Sequence, residues 1–116
     1  MKNFRTLYGK PIIDIIGYIN DYLVDKTDVE ILIGSDSQSF SNSKTVYGVV
    51  IALYTKGKGA HVVCTKDTTS FEKDTSSRLM TEVWKAVEVA EHLRNNGLPK
   101  ASWIDIDLNP EPKYKS

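Results

Sequence analysis

Residues 45–55, TVYGVVIALYT, are apolar at nearly every position, and this run constrains the fold more than any other stretch. It falls short of the roughly 18 residues that a membrane span needs, and it is rich in β-branched side chains. It predicts a central strand covered on both faces rather than an edge strand. Lys56-Gly57-Lys58-Gly59 then signals a turn, and residues 60–65 (AHVVCT) answer as a second strand. A hairpin is expected here.

The remaining elements follow from periodicity. Pro11 suits a first helical position, and Ile12, Ile15, Ile16, Ile19 and Leu23 recur at three- and four-residue steps, which predicts an amphipathic helix over 11–25. Gly17 inside it costs up to about 1 kcal/mol against alanine, so it marks a close packing contact. Residues 29–35, VEILIGS, read as a buried strand ending in the turn-prone stretch Asp36 to Lys44. The polar stretch 66–77 reads as a loop with a helix cap. A second helix is predicted over 78–95, with Leu79, Val83, Ala86, Val87, Ala90 and Leu93 as its buried stripe and Asn95-Asn96-Gly97 as its end. Residues 101–108, ASWIDIDL, alternate as a last strand, and the prolines of NPEPKYKS stop it. Helix, strand, hairpin, helix, strand is an α/β order. It predicts a mixed sheet with the last strand parallel to the first through a right-handed crossover.

At 116 residues the chain suits a single domain, with 1–9 as an N-terminal extension and 109–116 as a tail. Fifteen Lys and Arg balance fifteen Asp and Glu, which argues against strong global attraction to nucleic acid or anionic membrane and leaves local basic patches open. One cysteine, Cys64, excludes an internal disulfide framework and a multi-cysteine zinc site. With no long apolar run and no signal-like N-terminus, a cytoplasmic location without membrane contact is expected.

Four acids stand out. Asp36, within Gly34-Ser35-Asp36-Ser37-Gln38, falls where the first strand is expected to run out, toward the crevice where α/β sheets bind ligands. A turn-forming aspartate is the plainer reading, and the one that turn preferences favour. Asp105 and Asp107 lie two apart and share one face of the last strand, with Trp103 behind them. Such like charges call for solvent or a cation. Glu82 lies at the border of the second helix's stripe, from which a carboxylate reaches the strand ends or simply stays solvated. If the first and last strands are neighbours, Asp36 and Asp107 approach one another, and converging carboxylates suit a hard cation such as Mg²⁺. His61 and His92 have no metal-ligand spacing, and Gly57-Lys58-Gly59 lacks the ending of a phosphate-binding loop.

In order and spacing, IGSDSQS (33–39), the hairpin 45–65, RLMTEVWKAVEVAEHL (78–93) and WIDIDLNP (103–110) resemble the first part of the ribonuclease H-like fold. The GSDSQ segment, the RL-x-x-E helix start and an Asp-x-Asn-Pro followed by KYKS are similar to the bacterial and phage YkuK-type family of that superfamily. The resemblance covers nearly the whole chain from about residue 10. It implies that Asp36, Glu82 and Asp107 are catalytic acids holding Mg²⁺ or Mn²⁺, with Asp105 assisting and with Ser37, Gln38 and Asn109 near the substrate. It also implies a further strand and a fourth acid, which in relatives lie beyond the point matching Ser116. The expectation is therefore a C-terminally shortened ribonuclease H-like domain.

Three functions are compatible with this reading. The first is a metal-dependent nuclease acting on RNA, RNA–DNA hybrid or DNA, weakened or inactive for want of the fourth acid. The second is a non-catalytic binding or assembly module on the same fold, self-associating through an exposed sheet edge near 101–108. An ATPase-like phosphate-binding domain ranks last, because its glycine-rich loops are missing.

Overall fold

The computed structural model describes residues 3–40, 43–98 and 103–105. Its elements run β1 (Phe4–Thr6), β2 (Pro11–Ile12), α1 (Ile15–Leu23), β3 (Val29–Phe40), β4 (Lys44–Thr55), β5 (Gly59–Ser70), α2 (Thr75–Asn95) and β6 (Trp103–Asp105). They form one sheet in the order β2-β1-β5-β4-β3-β6. Neighbours from β2 through β3 pair antiparallel, and β6 adds to β3 in parallel, with Gly34 opposite Asp105. The α/β class, the hairpin and the parallel last strand agree with the sequence pattern.

The hairpin turn is set by Gly57 and Gly59, both at positive φ, where a Cβ would strain the backbone. Beyond it the strands are longer than their apolar runs. β3 continues through Asp36 to Phe40 and β5 through Lys66 to Ser70, each fully paired with β4. The polar stretches 36–40 and 66–70 are therefore strand and not loop. Their hydroxyl side chains have β-compatible backbones, and the ladder extends as far as partners exist.

β4 is central, but its two faces differ. Thr45, Tyr47, Val49, Ile51 and Leu53 are buried, whereas Val46, Gly48, Val50, Ala52 and Tyr54 are half-exposed. Both helices pack on the first of these faces. There Ile15 and Ile19 of α1 and Ala86, Val89 and Leu93 of α2 join Ile31, Ile33, Val49, Ile51, Leu53 and Val63 in one core. Among the described residues the second face carries no helix, which corrects the expectation of a strand covered on both sides.

The first helix starts at Ile15, not Pro11. Asp14 caps it, accepting from the Gly17 N–H at 3.1 Å, while Pro11 and Ile12 form the edge strand β2. A side chain at Gly17 would bring its Cβ to 2.6 Å from the Asp14 carboxylate, so this glycine makes room for the cap. Asp14→Ala is expected to cost about 1 kcal/mol, read as a lower midpoint in urea unfolding. Residues 4–6, within the N-terminal extension, join the sheet. Phe4 is buried, β1 pairs with β5, and Thr65 Oγ1 donates to the Asn3 carbonyl at 2.6 Å.

The second helix begins at Thr75, capped by Asp74, whose carboxyl is held below its ordinary pKa by hydrogen bonds from the Ser77 hydroxyl and backbone N–H. Its inward line runs through Arg78, Glu82, Ala86, Val89 and Leu93, rotated from the predicted stripe. Leu79 is 50% exposed, and Val83 and Val87 are only half-buried. The reason lies in the sheet beneath, where a polar row receives the first half of the helix.

Candidate functional site

Serine occupies every second position of β3 from 35 to 39, and a strand's period of two puts all three hydroxyls under α2. Ser35 Oγ donates to the Glu82 carbonyl at 2.8 Å, and Ser37 Oγ donates to Glu82 Oε2. Ser39 Oγ pairs with Thr45 Oγ1 at 2.9 Å and accepts from Arg78 Nη1 at 3.1 Å. On the next strand but one, Asp67 binds Lys85 Nζ at 2.6 Å, and that ammonium lies 5.3 Å from the centre of the Tyr47 ring. Glu82 is 4% exposed. It is not a solvated border residue, because the serines make its side of the sheet polar enough to receive a carboxylate.

Asp36 belongs to the other face. In register across the sheet, Asp36, Gly48 and Lys66 form one row, and Ser37, Tyr47 and Asp67 form the next, on the helix side. Asp36 opens into a groove of about 360 Å³, lined also by Gln38, Phe40, Lys44, Gly48 and Lys66. Its Oδ1 accepts from the Ser37 N–H at 2.8 Å. Ser37 thus holds both acids, Asp36 through its backbone nitrogen and Glu82 through its hydroxyl.

The structure therefore changes the expected convergence. Asp36 lies within β3, four residues before its end, and not at a strand terminus. Asp36 and Glu82 occupy opposite faces and meet only around the strand at Ser37. Asp105 is placed by backbone register beside Gly34, two positions before Asp36. Asp107 and Asn109 lie outside the described residues. Among the described residues no group of three His, Cys, Asp or Glu side chains is gathered closely enough to hold a metal ion. Ser37 and Gln38 both border the groove.

The polar row under α2 has a sequence signal of its own. Ser-x-Ser-x-Ser continues the alternation Ile31-x-Ile33, and extending the strand would have exposed it. His61 acts structurally. Its Nε2 lies 2.6 Å from the Tyr18 hydroxyl, and its ring stacks on Tyr22. Cys64 is half-buried on the open face, in register with Val50. No helix among the described residues is long and apolar enough to cross a membrane.

A mixed sheet with a parallel strand beside the one that carries Asp36, and a helix that delivers a glutamate to the same strand, defines a class of α/β proteins. A family model for ribonuclease H-like proteins matches residues 12–112, and the chain belongs to that family. Membership is compatible with a nuclease or a nucleic-acid-binding function. No curated protein and no solved structure matches the chain.

Proposed function

We propose that the chain is a divalent-cation-dependent nuclease domain of the YkuK type, hydrolysing phosphodiester bonds of RNA, RNA–DNA hybrid or DNA. The observation that carries this reading is Ser37, hydrogen-bonded at once to Asp36 and to Glu82, so that carboxylates from both faces of β3 meet at one residue. The last described pair of β3 and β6 is Gly34 with Asp105, two positions before Asp36 on β3. In this proposal Asp36, Glu82 and Asp107, assisted by Asp105, hold Mg²⁺ or Mn²⁺, since carboxylate oxygens suit hard cations. The ions, when bound, supply an activated water and charge stabilisation at the leaving oxygen. Ser37, Gln38 and Asn109 orient the phosphate.

The burial of Glu82 in a hydrogen-bonded network favours a second reading, a non-catalytic binding or assembly module on the same fold. Cleavage assays decide between the two. With labelled single-stranded RNA, hybrid and DNA in millimolar Mn²⁺ or Mg²⁺, the native chain is expected to cut at least one substrate. Asp36→Asn should lower that rate about a thousandfold, because several kcal/mol of charge stabilisation are lost. Failure of the native chain to cut any of the three with either ion rejects the nuclease reading.

A further inference from the structure

The face of the sheet that carries no helix among the described residues has a chemistry that the acids do not exhaust. Five positions that alternate onto it around Asp36 are Gln38, Phe40, Lys44, Gly48 and Lys66, and all of them line the 360 Å³ groove. Phe40 is 38% exposed at the mouth of the β3–β4 hairpin, with the Lys44 ammonium 5.6 Å from its ring centre. Lys66 lies across Gly48 from Asp36, in the same register row. Lys44 and Lys66 stand four residues apart along the ladder, roughly 13 Å. Among the described residues neither lysine has a carboxylate partner. Gly48 forms the floor. Its φ is not in the left-handed region, and a Cβ built there meets nothing nearer than the Thr65 carbonyl oxygen at 3.7 Å. Glycine is therefore not required by the backbone at this position. What its missing side chain provides is the depth of the groove.

From this we infer that the groove binds a single-stranded segment of nucleic acid, one base stacked on Phe40 and the flanking phosphates on Lys44 and Lys66. An aromatic ring at the end of a cationic track serves unpaired bases, whose faces are free. A duplex offers its phosphates but keeps its base faces stacked. The two lysines provide a local basic strip on a chain whose formal charge is zero. The inference rests on the nucleic-acid reading above and specifies its ligand, but it does not depend on cleavage.

Fluorescence anisotropy of the full chain tests it, with a fluorescein-labelled 12-residue oligouridylate and an RNA duplex of equal length, in EDTA so that no metal-dependent cutting occurs. The native chain is expected to bind the single strand at least tenfold more tightly than the duplex. Phe40→Ala should weaken binding about tenfold. The double variant Lys44→Gln, Lys66→Gln should lower the slope of log affinity against log salt by about 1.4, at about 0.7 for each phosphate that is no longer neutralised. Gly48→Val should weaken binding at least tenfold while its melting temperature stays at or above that of the native chain, since a β-branched residue fits the strand and fills the groove. Equal affinity in the native chain and Gly48→Val, or a duplex bound as tightly as the single strand, overturns the inference. Cleavage that persists while the groove variants bind normally removes the groove and leaves the nuclease. Groove-dependent binding without cleavage does the reverse.

Discussion

Millimolar Mn²⁺ is expected to raise the melting temperature of the native chain by roughly 10 °C and to leave that of Asp36→Asn unmoved. Asp36 and Glu82 are both bonded to Ser37, one through its backbone N–H and the other through its hydroxyl, and the proposed cation site draws on both. A cation held by both acids, as proposed, binds the folded form in preference to the unfolded one, because only the folded chain brings β3 and α2 together. At a hundredfold excess over its dissociation constant such an ion stabilises by about 2.7 kcal/mol. For a domain of this size each kcal/mol moves the midpoint by roughly 3–5 °C. Differential scanning calorimetry of the two proteins, with and without Mn²⁺, reads the difference directly. An equal rise in both points to general ion effects and counts against the site, whatever the cleavage assays give.

The second large effect is structural. Ile51→Ala is expected to cost about 2–5 kcal/mol, the range for emptying a fully buried aliphatic site. Ile51 is 0% exposed in the middle of β4, in register with Ile33 on one side and Val63 on the other. All three lie on the face that the helices cover. Val50, its neighbour in sequence, points to the half-exposed face, and Val50→Ala should cost less than half as much. Urea midpoints for the two variants test the one-sided layering of the domain. Equal losses would mean that the second face is covered as tightly as the first.

Much of this architecture is legible in residues alone. The hairpin announces itself by an apolar run, a Gly-rich turn and an answering run, and the structure places it there. The parallel last strand follows from element order. Strand ends are harder to read, because polar residues sustain a ladder as well as apolar ones once a partner is in place. Asp36 to Ser39 look like a turn for that reason, and Asp36 is misplaced with them. The inward line of α2 is misjudged from the same cause. A helix buries whatever its platform accepts, and a platform of serines accepts Arg78 and Glu82 while turning Leu79 outward. Glu82 is singled out by its place in the helix pattern, but its burial depends on serine hydroxyls far earlier in the chain, which periodicity does not see.

The contrast between the two halves of α2 carries over to how the domain comes apart. The second half rests on Ala86, Val89 and Leu93, an oily seam that water enters only when the core itself opens. The first half is fastened by hydroxyls and charges, for which water is a ready substitute. Amide protons of the first turns are thus expected to exchange through small, frequent openings, and those of the last turns only through global unfolding. In such an opening the first half of the helix would lift from the serine row and expose Glu82 while the sheet stays whole. The fold would then hold one of its acids behind a hinge, and reaching it would cost far less than unfolding.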